Sequence, residues 1–198
     1  MKALKIFGIV IGSIVALVII LVVVVWILIS RPSGIAAQVT PVASTAEASQ
    51  SLDNKWNDFS NTVNQSKKGT QVSVTLTQEE VTSKINDAVK TVALPSGLTV
   101  GKMSVNLTAG KILLAADAKY LMFSAHAGMS AVVNIVNGQP LIVVTNIDMG
   151  SLPIPQSMKD QLKGLIPADT LIKTGQMAFE VQNVQIDNGQ MVISGVKR

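Results

Sequence analysis

His126 is the only histidine among 198 residues, and its imidazole is the one side chain that ordinarily titrates near neutral pH. Two carboxylates, Asp117 and Asp148, fall on segments that alternate like strands, and carboxylates brought together can act as general acid and base. A hydrolase would have to be built from these three. Each reads instead as a solvated strand position, His126 on the polar face of a long strand, so no catalytic residue is assigned. The chain has no Cys, which removes disulfides, thiolate nucleophiles, iron–sulfur clusters and Cys-bound zinc. One His cannot form the usual two- or three-His metal site. No GxGxxG, GxxxxGKS/T, GxSxG or HExxH occurs. Neither metal nor cofactor is expected, and the composition points away from familiar enzymes.

Charge excludes a further class. Charged residues are 14 % of the chain, where a soluble domain has roughly 25 %. Setting aside Lys2 and Lys5 leaves 14 basic residues against 12 acidic, and no basic cluster exceeds Lys67-Lys68. That is too little for nucleic acid.

The apolar residues are concentrated at the start. Residues 6–30 carry no charge, and at about 1.5 Å per residue they reach roughly 37 Å, enough to cross a hydrocarbon core of about 30 Å. Lys2 and Lys5 precede the run and only Arg31 follows closely, which predicts a cytoplasmic tail at 1–5 and an extracytoplasmic remainder. The run is too long for the h-region of a cleaved signal peptide, so it reads as a signal anchor in the cell membrane. Gly8 and Gly12 form a lone GxxxG, weak support for paired anchors.

Residues 31–66 follow as a spacer, Pro-, Ser-, Ala- and Thr-rich over 31–50. Within it Leu52, Trp56, Phe59 and Val63 make one apolar stripe of a helix at 50–65, which docks on the domain or lies on the membrane surface. The domain is assigned to 67–198. Val72, Val74 and Leu76 alternate as a strand. Thr77 to Glu80 then forms a capping box opening a helix that Pro95 stops. Strands are expected at 98–107, 111–120, 121–136 and 140–149, turning at Gly110 and at Asn137-Gly138. A helix follows at 157–166, and strands 177–187 and 190–196 close around Asn188-Gly189. Breaks in alternation near Lys102 and Asn183 predict bulges. The expected fold is α+β: a strongly curved antiparallel sheet packed with two helices.

The stretch 121–136 is the most informative. Leu121, Phe123, Ala125, Ala127, Met129, Ala131 and Val133 share one face, and Leu114, Ala116 and Ala118 give the preceding strand a matching one. Gly128 is expected to allow a bend or bulge. Alanines in mid-strand make a broad apolar face of little bulk. Two helices could fill it as ordinary core, or leave a groove for a lipid chain. Pro153 and Pro155 stiffen the link to the 157–166 helix, whose Met158 and Leu162 would dock on the sheet or rim the groove. Asn64-Gln65-Ser66 and Asn106-Leu107-Thr108 match the N-glycosylation pattern, which matters only in a eukaryote.

Residues 146–155, a strand running into Gly-Ser-Leu-Pro-Ile-Pro, then an amphipathic helix and Leu165-Ile166-Pro167, resemble the YpmS-like family of bacterial membrane-anchored proteins. The chain also looks like the wider tubular lipid-binding folds. The resemblance implies an anchor, a spacer and an extracytoplasmic domain, and brings no catalytic residues. The expected function is therefore a non-enzymatic, single-pass envelope protein that binds or shields a lipid or lipid-linked chain. The other reading is a scaffold with a filled core that docks an envelope protein partner.

Overall fold

The computed structural model describes residues 33–90, 97–120, 123–148, 150 and 178–198. The expected anchor at 6–30, Leu121, and the segment holding Pro153, Pro155, Met158 and Leu162 lie outside these residues. Among the described residues, no helix is long and apolar enough to cross a membrane.

The architecture is α+β, with two antiparallel sheets in place of the single curved sheet expected. Helix α1 spans Ala46–Gln65, strand β1 Gln71–Thr77 and helix α2 Gln78–Val89. Strands β2 (Leu98–Thr108), β3 (Lys111–Tyr120), β4 (Phe123–Val136) and β5 (Gln139–Asp148) form a four-stranded meander. Strands β6 (Phe179–Asp187) and β7 (Gln190–Lys197) pair, and β1 adds to β7, giving the order β1-β7-β6. Separate sheets arise because β6 passes beneath the turns of the meander. Its Val181 N–H donates to Gly138 O at 2.9 Å, and its Ile186 O accepts from Gly110 N at 2.8 Å.

Local chemistry accounts for each turn. Ala109-Gly110, Asn137-Gly138 and Asn188-Gly189 all hold positive φ at both positions, the two-residue turn whose twist suits a hairpin. The bulges expected near Lys102 and Asn183 appear as register shifts at Val100/Met103 and Val181/Asn183. A third lies between β4 and β5, where Ser130 pairs with Asn146 and Ala131 with Val144, leaving Thr145 over. Thr145 Oγ1 donates to Ser130 O at 3.0 Å. The extra residue sits on β5, two positions along from the level of Gly128.

The core lies between the two sheets. Leu52, Phe59 and Val63 of α1 pack with Leu76, Val81, Val105, Leu107, Ile112, Phe179, Met191 and Ile193. Phe59 meets Phe179 edge-on at 5.0 Å between ring centres. Helix α1 is thus part of the folded unit, docked through the stripe read from the sequence. A boundary at 67 would strip three core side chains.

Helix α2 opens on the predicted capping box: Thr77 Oγ1 accepts from Glu80 N, and Glu80 Oε2 from Thr77 N. Its next turns close the free edge of β2. Asn86 Oδ1 accepts from Met103 N at 3.0 Å while its Nδ2 donates to Met103 O at 2.8 Å, as a neighbouring strand would. One turn earlier, Thr82 Oγ1 accepts from Val105 N at 3.0 Å.

Candidate functional site

The larger sheet has two faces with different occupants. On the inner face, register sets Ile112 opposite Ala131, Leu114 opposite Met129, Ala116 opposite Ala127, and Ala118 opposite Ala125. This face divides along its length. Ala131 belongs to the core, with Leu114 and Val133 packed against it. Beyond the core, toward the Tyr120–Phe123 pair, the four alanines form a two-by-two block. Ala116 and Ala127 are each 8 % exposed and Ala118 4 %, while Ala125 is half-buried, as is Met129. Phe123 opens β4 opposite Tyr120. Of the residues expected to line a lipid groove, Ala116, Ala118, Ala125, Ala127 and Met129 stand together, whereas Leu114, Ala131 and Val133 serve the core.

The outer face carries the titratable groups. Asp117 and His126 are register partners across β3 and β4, and Asp117 Oδ1 lies 2.6 Å from His126 Nδ1. Their side chains are 65 % and 67 % exposed, an open surface pair with solvent on it. The expectation of a solvated position therefore holds for both, with the addition that they touch. Asp148 differs. Its Oδ2 accepts from Gly34 N at 2.8 Å and its Oδ1 from Gly150 N at 3.0 Å, so this carboxylate is engaged with the backbone. The structure brings Asp117 to His126, and it gives Asp148 a fastening role. Among the described residues, no group of three or more His, Asp or Glu could hold a metal ion.

Asp148 fastens a segment whose composition reads as a flexible spacer. Residues 33–45 instead cross the outer face as a strap. Ser33 N–H donates to His126 O at 3.2 Å, just past the point where β5 stops pairing with β4 at Asp148–Gly128. A 3-10 turn at Ala36–Gln38 then lies over β3 and β4. Asn106 receives the chain with both ends of its amide: Oδ1 accepts from Thr40 N at 2.6 Å and Nδ2 donates to Thr40 O at 3.1 Å. Val42 N–H donates to Ser104 Oγ at 3.1 Å, and Thr45 N–H to Ser83 Oγ at 3.1 Å. The strap then turns into α1 on the far side of β2. Short polar residues such as Ser, Thr and Asn suit a loop, and they equally suit a segment fixed through its backbone; only the neighbours decide between the two.

Gly128 makes room for this crossing. A Cβ there would sit 2.5 Å from Ser33 Oγ and 2.6 Å from both Ala36 N and Ile35 Cβ. The signal in the sequence was a lone glycine in a long strand, and its cause is the close approach of another backbone. Gly128→Ala is expected to lift residues 33–38 while leaving the core in place. Limited proteolysis should then cut the strap many-fold faster with little change in the unfolding midpoint; unchanged cleavage would refute the packing. Asn106, in one of the two glycosylation patterns, already has its amide engaged, whereas Asn64 lies exposed on α1.

The fold and this site together define an α+β domain with a strapped outer face and an inner face that is part core and part alanine block. Comparison with protein-family models and with curated proteins gives no match.

Proposed function

We propose that this chain is a non-enzymatic, single-pass envelope protein whose domain binds or shields a lipid or lipid-linked chain on the alanine block. The observation that carries the reading is the block's position. Four small apolar side chains lie on the inner face beyond the core cluster, continuous with half-buried Met129. A slender acyl chain gains about 0.8 kcal/mol for each methylene buried on such a surface. The uncharged run at 6–30 and the resemblance to the YpmS-like family support a place on the outer side of a bacterial cell membrane. The scaffold reading has one observation of its own: Ile135, Val136 and Leu141 are exposed at the β4–β5 hairpin tip.

Ala127→Trp in the full-length chain tests the first reading. Native mass spectrometry with lipid extraction should find a discrete lipid on the parent and none on the variant, with the unfolding midpoint nearly kept. A lipid-free parent, together with a variant that loses stability by roughly 1–3 kcal/mol from overpacking, would mean a filled core and favour the scaffold.

A further inference from the structure

We infer that the corner of the larger sheet formed by Ser33, His126 and the β3–β4 end rests on the bilayer surface, held there by the strap. The inference uses the anchor and deepens the lipid-binding reading by naming where a lipid would enter.

Chain length sets the distance between the domain and the bilayer. The predicted anchor ends at Ser30. Ser33 is already fixed, 2 % exposed, with its N–H on His126 O, and Gly34 is tied to Asp148. Only Arg31 and Pro32 intervene, and the three steps from Ser30 to Ser33 extend at most about 11 Å. The composition suggested a spacer setting a long reach; with residues 33–45 fastened at five points, that reach is gone. The domain cannot stand off from the membrane, and the side it presents is the one where the strap begins.

Two exposed lysines at this end can meet anionic headgroups. Lys119 pairs in register with Ser124 on the outer face, and Lys102 lies at the β2 bulge level with Asp117, whose carboxylate is engaged by His126 as that of Asp148 is by Gly34 N. Both are exposed, and each lysine near an anionic surface contributes about 1 kcal/mol. The Asn137-Gly138 turn lies nine residues beyond Gly128 along β4, about 30 Å away. Membrane-proximal and membrane-distal ends are therefore assigned, and the alanine block, toward the β3–β4 end, lies at the proximal one. A chain leaving the bilayer would meet the block before the core.

The absence of Cys makes the test clean. Ser124→Cys and Gln139→Cys, both at exposed positions, are each labelled with a fluorophore in the full-length chain. The proteins are placed in vesicles of phosphatidylcholine and phosphatidylglycerol carrying spin-labelled headgroups. Quenching is expected to be several-fold stronger at 124 than at 139. Inserting a flexible Gly/Ser linker of about 20 residues, reaching roughly 25 Å, between Arg31 and Pro32 should remove most of the difference. Equal quenching at both sites, stronger quenching at 139, or a preference untouched by the linker would each overturn the inference. A chain washed off the vesicles by carbonate would overturn it together with the proposed anchor. Oriented quenching on a chain without bound lipid would leave it standing and sink only the lipid reading.

Discussion

Gly195→Ala is expected to be the most damaging single-methyl change in the domain, lowering stability by about 3 kcal/mol or more. Gly195 is buried in β7, between Val72 of β1 and Val181 of β6. A Cβ there would overlap the Glu180 carbonyl oxygen, and it would sit 2.8 Å from Phe179 Cζ and 2.9 Å from Glu180 C. Two of these three are backbone atoms that cannot rotate away. They lie in β6 beside the bulge at Val181/Asn183, where the backbone bends over β7. Relief would require moving β6, and with it Phe179, which packs against Phe59 of α1. At 2–4 °C per kcal/mol for a domain of this size, the melting temperature should fall by about 10 °C. Gly69→Ala supplies the control. Nothing lies within 4 Å of its Cβ position and its φ is +85°, so the cost is only that of a left-handed conformation, about 1 kcal/mol. Equal losses for the two variants would show that β6 does not press on Gly195.

Glu80→Gln should remove about 2 kcal/mol at neutral pH and progressively less in acid. The Glu80 side chain is 6 % exposed and joins three elements. It accepts from Thr77 N at 2.9 Å to close the capping box, from Ser51 Oγ of α1 at 2.6 Å, and from Lys55 Nζ at 3.0 Å. Lys55 donates as well to Thr75 O of β1 at 3.2 Å. Burial pushes the carboxyl up, but the hydrogen bonds from Lys55, Ser51 and Thr77, with the attraction of the Lys55 charge, together hold it below the ordinary value of 4.5. The unfolded chain therefore takes up this proton first as pH falls. The stabilisation is complete above the unfolded value and is lost as pH drops through the lower folded one. Asp87 shifts in the same direction, held down by hydrogen bonds from Lys90 and from Ser49, so the parent loses stability in acid through more than one group. Comparing parent and Glu80→Gln by denaturant unfolding isolates the Glu80 share. The gap between them should be widest near neutrality and shrink below pH 4.5. A gap that held constant with pH would mean the charge itself contributes nothing.

The features legible in the sequence were those set by neighbours along the chain. Two Asn-Gly turns, the Thr77–Glu80 box and the two phase breaks depend on φ preferences and on side chains a few residues apart, and each appears where expected. The Asp117–His126 contact has a signature of intermediate range: pairing of β3 with β4 makes the two residues register partners. Other features have no local signature. Asn86 and Asn106 look like ordinary polar residues until their amides are seen paired with Met103 and Thr40. Asp148 reads as solvated until Gly34, 114 positions earlier, arrives at it.

The sequence by itself determined the strand and helix periods, the hairpins, the α+β class and the apolar inner face, because period, turn chemistry and alternation are properties of short segments. Only the tertiary structure decided that the strands divide between two sheets, since that depends on where β6 crosses the meander turns. It alone decided that α1 belongs to the core and that Gly128 is a landing point. The same holds for 33–45, a strap whose polar side chains suit water and a sheet face equally well. Composition records what a segment tolerates, and the strands brought beneath it determine which of these is realised.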